Sequence, residues 1–253
     1  MSENPEAEQS FISHLVELRS RLLRAVATVL LVSAALLPFS DNLYQLIAEP
    51  LLRFLPEGSG MIAIDVAAPF FTPIKLTLLS GLFLSMPVVI YQLWAFVAPG
   101  LYRHEKRLAI PLLISAVLLF YLGVAFAYFV VFPLAFAFFV GTTPEGVAMM
   151  TDISRYLDFV LLLFFAFGLA FEVPVATILL VATGMVDVDE LAGKRAYVLV
   201  GAFVVGMLLT PPDAISQTLL AIPMWLLFEV GIVMARLLIR QHENETNDSR
   251  STD

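Results

Sequence analysis

Long runs of uncharged, mostly apolar residues dominate the chain and decide what it can fold into. Residues 76–102 and 108–144 carry no charge, and residues 159–186 contain a single carboxylate, Glu172. A helix that crosses the hydrocarbon core of a bilayer needs about 20 such residues. Because the runs are continuous and not alternating, they predict helices rather than strands. Hydrophobic residues make up 60% of the sequence and charged residues 14%, which a soluble core of this size could not hide.

The fold class that follows is an all-α, polytopic membrane protein with six transmembrane helices. We predict one domain over residues 1–240 and a polar, disordered cytoplasmic tail over residues 241–253. Prolines within or beside the spans predict bent helices and a concave bundle. The fifth uncharged run, 196–212, reaches only about 25 Å, less than the ~30 Å hydrocarbon core, so the bilayer must thin there or the helices must sit off-centre. The six predicted spans are 22–39, 76–96, 108–130, 159–181, 196–209 and 214–234.

The basic residues predict the orientation of the chain. All but three of the 14 Lys and Arg residues lie in the N-terminal tail, the second and fourth connections and the C-terminal tail. The exceptions are Arg53, Lys75 and Arg155, in the connections 41–74 and 141–158. The positive-inside rule therefore places both termini in the cytoplasm and these two connections outside. The first span has the basic flank of a signal peptide, but no small-residue cleavage site follows it, so we predict a retained helix.

Motifs for enzymatic chemistry are missing from the sequence. Neither the glycine-rich pattern of a P-loop nor that of a dinucleotide-binding turn occurs. The chain has no cysteine, and its histidines, His14, His104 and His242, lie outside the predicted spans. No metal site or Ser-His pair within the membrane is therefore indicated. The net charge of −8 argues against nucleic-acid binding. We predict no catalysis, no cofactor and no metal, and a function in binding or transport.

Two carboxylates stand out on the predicted cytoplasmic side. Residues 11–24 are amphipathic and predict a surface helix that turns into the first span. On its polar face, Glu17 can simply pair with Arg21 one turn later, which is the more economical interpretation. Glu105 is the only carboxylate in the basic segment 103–107, where it can simply neutralise a turn. Because the two carboxylates lie at similar depth, each could instead bind one guanidinium of a ligand in bidentate geometry.

Within the spans, the polar residue that stands out is Glu172, two residues before Pro174. An intramembrane carboxylate is unfavourable unless it has a partner. It therefore indicates either a functional group or a helix–helix hydrogen bond at the bend made by the proline, and we favour the two interpretations equally. Glu229, near the cytoplasmic end of the last span, can snorkel to the surface or pair with Arg236.

A series of motifs runs in order along the chain from Phe11 to Arg236. The first is Phe-Ile-Ser-His-Leu-Val-Glu-Leu-Arg-Ser-Arg-Leu at residues 11–22. Others are Phe-Phe-Thr-Pro-Ile-Lys at 70–75, the segment 91–102, Phe-Gly-Leu-Ala-Phe-Glu-Val-Pro at 167–174, and the segment 209–217. Together these motifs resemble the TatC family, the multispanning receptor subunit of the twin-arginine protein translocase.

This resemblance implies six helices in a cupped arrangement with both termini cytoplasmic, in the bacterial inner membrane. It implies a receptor for the twin-arginine signal peptides of folded proteins, acting with the single-span subunits TatA and TatB. Export would be driven by the proton-motive force, and the receptor would assemble as an oligomer of TatB–TatC units in lipid, with no nucleic-acid partner.

The resemblance also implies two sets of functional residues. The first set binds the signal peptide: Glu17 and Glu105 face its arginine pair, and Arg19, Phe96 and Pro50 are the other critical positions. The second set is intramembrane or docks a partner span: Glu172, Met207, Thr210, Gln217 and Asp213.

Two hypotheses from other classes are weighed against the receptor. One is an ion- or solute-coupled secondary transporter with Glu172 as the coupling carboxylate, against which stand the lack of an internal repeat and of paired discontinuous helices. The other is a passive membrane scaffold without a ligand. Crosslinking of a twin-arginine peptide beside Glu105 favours the receptor, whereas uptake of a small solute by the chain alone favours the transporter.

Overall fold

The computed structural model describes residues 5–53, 60–101, 106–144, 147, 150–209 and 214–251, and this part of the chain is helical almost throughout. Helices suit such apolar segments because they satisfy their own backbone hydrogen bonds where lipid offers none. The elements are α1 (Pro5–Leu36), a 3-10 turn (Leu37–Phe39), α2 (Ser40–Leu52), β1 (Met61–Ile62), α3 (Ala68–Leu84), α4 (Met86–Leu101), α5 (Lys106–Phe126), a π-helical turn (Ala127–Val131), α6 (Phe132–Gly141), β2 (Thr151–Asp152), α7 (Ile153–Ala170), α8 (Val173–Ala182), α9 (Val188–Gly193), α10 (Arg195–Leu209) and α11 (Ala214–Ser251).

Several helical stretches are long and apolar enough to cross a membrane. Four pass as single stretches: His14–Leu52, Ile110–Gly141, Ile153–Ala182 and Leu220–Leu237. A fifth is obtained when α3 and the first part of α4, which are bent by 51° at their junction, count as one broken span. The prediction of an all-α, polytopic membrane protein is therefore confirmed. The fifth predicted span, 196–209, falls on α10, which is apolar but shorter than the others, so the count of six stays a prediction.

Prolines move or break the predicted helix boundaries. The second span, predicted as one helix over 76–96, starts at Ala68 and is interrupted at Ser85, just before Pro87. The fourth, predicted over 159–181, is likewise split into α7 and α8 just before Pro174. Proline lacks the N–H that would continue the helical ladder, and its ring clashes with the preceding turn. The prediction of bent helices is thus confirmed for the second span.

The two ends of the chain are more continuous than the sequence predicts. α1 is one helix from Pro5 to Leu36, without a turn between a surface segment and a span. Residues 6–37 contain no glycine or proline to break it. α11 is helical to Ser251, through the residues for which a disordered tail is predicted from 241. Residues 238–251 also lack glycine and proline, so no residue there terminates the helix.

The chain divides into two compact units, where the sequence predicts a single domain. The first unit comprises Met1–Glu49, Met61–Val117 and Thr151–Leu157, and the second comprises Pro50–Gly60, Leu118–Met150 and Asp158–Asp253.

In the first unit, α1 packs closely on α3. Ser33 is buried, and its hydroxyl donates a hydrogen bond to the carbonyl oxygen of Leu78 at 3.3 Å. Opposite it lies Gly81, where an added Cβ would overlap the side-chain oxygen of Ser33. In lipid, helices associate through such close contacts and interhelical hydrogen bonds, because burial from water does not drive them together. The small residue at position 81 therefore sets how closely the two helices approach.

Two segments far apart in sequence are tied together in the same unit. β1 pairs in parallel with β2. Beside this pair, Oδ2 of Asp152 accepts a hydrogen bond from the N–H of Ile64 at 3.0 Å. Its Oδ1 accepts from the N–H groups of Ser154 and Arg155 at 3.1 and 3.0 Å. One carboxylate thus caps the N-terminus of α7 and holds the earlier segment.

Two hydrogen bonds made by hydroxyl groups extend this tie. The Tyr156 hydroxyl donates to the carbonyl oxygen of Ile47 at 2.6 Å, and its side chain is buried. The hydroxyl oxygens of Thr72 and Ser154 lie 3.0 Å apart. Because these residues belong to or border the two connections predicted to face outward, we call residues 61–64 and 151–156, with their partners, the outer clasp. Sequence reasoning did not predict it.

The second unit is built around buried aromatic side chains. The ring centroid of Phe132 lies 5.1 Å from that of Phe164, and both side chains are buried. Where α5 crosses α7, the ring of Phe120 lies 2.7 Å from where a Cβ on Gly168 would be. Beyond the third predicted span, the aromatic-rich residues 126–139 continue as helix through the π-helical turn and α6.

We expect Gly81→Ala to destabilise the protein, because the new methyl group would overlap the Ser33 side chain. Overpacking of this kind costs about 1–3 kcal/mol. Gly201→Ala is the matched control, since an added Cβ there meets nothing within 4 Å. Unfolding in detergent micelles measures both variants, and equal stability of the two would contradict the assignment of Gly81 as a tight crossing point.

A second prediction concerns pH. The N–H groups of Ile64, Arg155 and Ser154, with Ile64 contributing most, hold the pKa of Asp152 below its usual range. The stabilisation is therefore present above the unfolded-state pKa of about 3.9 and is lost as the pH falls through the lower folded-state value. Asp152→Asn should lower the unfolding midpoint at neutral pH and leave a smaller difference from wild type below about pH 4. Asp41→Asn, at an exposed residue, is the control. If Asp152→Asn and Asp41→Asn lower the unfolding midpoint by the same amount at every pH in this range, the capping role of Asp152 is contradicted.

Candidate functional site

Glu17 and Arg21 form an ion pair on the polar side of α1. Nε of Arg21 lies 3.0 Å from Oε1 of Glu17, and its terminal nitrogen lies 2.5 Å from the same oxygen. The i, i+4 pair that the sequence offered as the economical interpretation is therefore formed. Both hydrogen bonds end on Oε1, so among the described residues the other carboxylate oxygen, Oε2, is left for a ligand. The carboxylate is already in a geometry that holds a guanidinium.

An aromatic stack joins the same side of α1 to α4. The rings of His14 and Phe96 are 4.3 Å apart between centroids and inclined by 24°. His14 precedes Glu17 by three residues, so the two share one face of the helix. The structure therefore brings two of the predicted signal-peptide residues, Glu17 and Phe96, to the same region of the first unit. We call Glu17, His14 and Phe96 the α1–α4 face.

Gln92 is a further polar residue near this face, and sequence reasoning missed it. It lies four residues before Phe96 on α4, hence on the same side of that helix. Its side-chain oxygen, Oε1, is buried and lacks a hydrogen-bond partner in the described part of the chain. An uncharged Gln in the apolar run 76–102 was the available signal.

The remaining predicted peptide-binding residues are placed differently. Glu105 lies outside the described residues. Arg19 is exposed and lies about 200° around α1 from Glu17, so the structure does not bring these two together. Pro50 is buried within α2 and belongs to the second unit.

Glu172 lies at the break between α7 and α8. Its carbonyl oxygen accepts a hydrogen bond from Ala176, but its side-chain Oε1 is buried and has no hydrogen-bond partner among the residues described. Of the two interpretations left open, a hydrogen bond to another helix of this chain is not formed at that oxygen. A buried carboxylate oxygen without a partner is unfavourable unless another group satisfies it.

The last hairpin is held together at its tip by a close contact. A Cβ added to Gly206 of α10 would lie 3.3 Å from the carbonyl oxygen of Gln217 on α11. Next to this contact, the Met207 side chain is 51% exposed. Gln217 is half-buried. The other two predicted residues of this surface, Thr210 and Asp213, lie outside the described residues.

Ion pairs fasten the opposite end of this hairpin. Arg195 donates to Glu229 through Nε at 2.6 Å and a terminal nitrogen at 2.9 Å, a bidentate pair. Arg236 pairs with Asp189 of α9 at 3.0 Å. The pairing of Glu229 with Arg236 considered from the sequence is therefore wrong. The fold brings α9 to Arg236 and the first residue of α10 to Glu229, and neither approach is local in sequence.

Together, the fold and these polar groups define a multispanning helical membrane protein with a carboxylate-bearing face on its first helix and a buried carboxylate between α7 and α8. Residues 13–223 match the family described as TatC, Sec-independent protein translocase protein.

Individual relatives agree with this match. The chain is 60% identical over 253 residues to the Sec-independent protein translocase protein TatC of Azotobacter chroococcum mcd 1, covering 99% of each chain. It is 58% identical over 239 residues to the protein of the same description in Escherichia coli (strain K12), covering 94% of this chain and 93% of the relative. A crystal structure of the twin-arginine translocase receptor TatC superposes with a TM-score of 0.78 at 40% identity, covering 88% of this chain and 98% of the other.

The chain therefore belongs to the TatC family and is a subunit of the Sec-independent protein translocase. The resemblance inferred from its motifs is confirmed, and the secondary transporter is not favoured.

Proposed function

We propose that this chain is the receptor that binds twin-arginine signal peptides on the cytoplasmic side of the bacterial inner membrane. It acts with TatA and TatB to export folded proteins, using the proton-motive force and no catalytic chemistry of its own. The single observation that supports the binding role is the Glu17 carboxylate on the α1–α4 face, which already holds one guanidinium. Both termini are cytoplasmic in this proposal, as the distribution of basic residues indicates.

The internal Glu17–Arg21 pair supports a model for how recognition of an arginine pair would begin. The pair is partly exposed, with 38% of the Glu17 side chain accessible. Exposed pairs contribute little stability, so an incoming guanidinium can share or replace Arg21 at small cost. Glu105 would bind the second arginine, and two planar guanidinium groups would be preferred over lysines because they hydrogen-bond in bidentate geometry.

The other predicted residues have supporting roles in this proposal. Phe96, stacked on His14, offers an apolar surface to the peptide beside its arginine pair. Arg19 and Pro50 would act on binding indirectly, since Arg19 lies on another side of α1 and Pro50 is buried in α2.

Partner docking would use the second unit. Glu172 offers a buried oxygen without a partner among the described residues, which a polar side chain of TatA or TatB could satisfy. Met207 and Gln217, with Thr210 and Asp213, would form the docking surface on the α10–α11 hairpin. The short α10 would thin the bilayer at this surface, and the receptor would assemble into an oligomer of TatB–TatC units.

Glu17→Gln should weaken binding of a synthetic twin-arginine signal peptide by about fivefold, because one partly exposed charged contact contributes up to about 1 kcal/mol. Glu17→Gln combined with Glu105→Gln should abolish binding. Arg21→Gln should strengthen it slightly, since a competing guanidinium is removed. Fluorescence anisotropy on the full chain in detergent measures all three, with a twin-lysine peptide as the ligand control. Unchanged affinity in the double variant would overturn the assignment.

Glu172→Leu should leave peptide affinity unchanged and reduce export, because the partner helix loses its hydrogen bond. Glu172→Gln should retain more export than Glu172→Leu, since the amide can still hydrogen-bond. Export of a folded reporter into the periplasm is the measurement, and Glu190→Gln serves as an exposed acidic control. Normal export by Glu172→Leu would show that the residue is incidental.

Cysteines placed at Met207 and Gln217 should form disulfide crosslinks with cysteines near the polar membrane residue of TatA or TatB. Leu122 is the matched control, because it is similarly exposed, at 55% against 51% for Met207, but lies on α5. Crosslinks at position 122 and none on the hairpin would contradict docking there.

A further inference from the structure

One side of α1 carries a groove for which the proposed receptor function names no ligand. The groove has a volume of about 460 Å³, and the side chains of Arg19 and Arg24 both line it. Its lining residues are Val16, Arg19, Ser20, Leu23, Arg24 and Ala27. These positions recur at three- and four-residue intervals and therefore lie mainly on one side of the helix, with Arg24, seven residues after Glu17, at the edge next to Glu17.

The charges around the groove favour an anion. Arg19 and Arg24 are both exposed, and neither forms an ion pair with a carboxylate of the described residues. Arg21, between them in sequence, differs because Glu17 neutralises it. Two unpaired guanidinium groups repel the arginine pair of a signal peptide. They match a phosphate, which guanidinium binds through parallel hydrogen bonds.

Apart from Ser20, the remainder of the groove is apolar and continues toward the membrane. Leu23, 58% exposed, and Ala27 lie one and two turns beyond Arg19, within the first predicted span. A ligand that fills this groove thus needs an anionic head and a hydrocarbon tail. In the orientation proposed above, the arginines lie at the cytoplasmic leaflet, where anionic lipids attract basic residues next to a span.

We propose that this groove is a binding site for an anionic phospholipid, with the phosphodiester between Arg19 and Arg24 and an acyl chain along Leu23 and Ala27. The site adjoins the α1–α4 face, since Arg24 follows Glu17 by seven residues on the same side of α1, and lipid bound there would hold the N-terminal part of α1 at the membrane surface. A partner helix is the alternative occupant, but a typical apolar span offers no anion to the two arginines.

Native mass spectrometry of the full chain in detergent tests the site without any signal peptide, so its outcome is independent of the receptor proposal. The probes are phosphatidylglycerol and phosphatidylcholine, added separately. Wild type should retain one phosphatidylglycerol molecule in preference to phosphatidylcholine. Arg19→Gln with Arg24→Gln should weaken that retention by about thirtyfold, about fivefold for each charge removed.

Arg21→Gln is the matched control, because it removes a charge from the same stretch of α1 but outside the groove. It should change retention by no more than about twofold. Equal retention of the two lipids by wild type, or equal losses in Arg21→Gln and Arg24→Gln, would overturn the site.

A second measurement uses wild-type protein alone and so does not depend on how a variant folds. Phosphatidylglycerol with a photoreactive group on its acyl chain is incorporated with the full chain into nanodiscs, and the adducts are mapped by peptide mass spectrometry. Adducts on Leu23 and Ala27 are expected. Adducts confined to other helices would overturn the proposal, as would displacement of the lipid from α1 by an added partner span.

Discussion

Inside a bilayer, each backbone N–H and C=O group must find its hydrogen-bond partner within the protein, and the structure depends on this constraint. This constraint makes nearly every described segment helical. Each interruption of a helix leaves backbone groups that need other hydrogen-bond partners. Two interruptions precede Pro87 and Pro174, and each leaves a buried polar side-chain atom without a partner in the described part of the chain, Oγ of Ser85 and Oε1 of Glu172. Two breaks in the helical ladder thus carry buried polar groups, in addition to Gln92 within α4.

The apolar environment of the bilayer also explains the close contacts between helices. Because lipid is as apolar as the side chains, burial alone does not bring two helices together, and small residues with local hydrogen bonds decide where they meet. Ser33 and Gly81 do so in the first unit, and Gly206 with Gln217 does so at the tip of the last hairpin. The end of the last hairpin opposite its tip adds a charged pair, Arg195 with Glu229, whose side chains are partly exposed.

Local features of this chain were predictable from sequence, and non-local ones were not. The spans follow from hydropathy, the bend of the second span from proline, and the Glu17–Arg21 pair from four-residue spacing. The partner of Glu229 lies 34 residues away on another helix, and no periodicity reveals such a pairing. The same holds for the stack of His14 on Phe96, which joins two different helices. The sequence prediction expected a turn within residues 6–36 and an end near residue 240. No glycine or proline stands at either place, and α1 and α11 continue through them.

The outer clasp has a consequence for how the protein is made. The clasp joins Ile64 to Asp152, which are 88 residues apart. At about 5–20 residues per second, the ribosome therefore adds Asp152 about 4–18 s after Ile64. In that interval α1 and α3 can already meet through Ser33 and Gly81, but β1 has no strand to pair with. Residues 106–141 must pass before β2 arrives. Closure of the clasp therefore marks the moment when the third predicted span is in place, and a chain halted earlier in synthesis leaves its first unit unfinished.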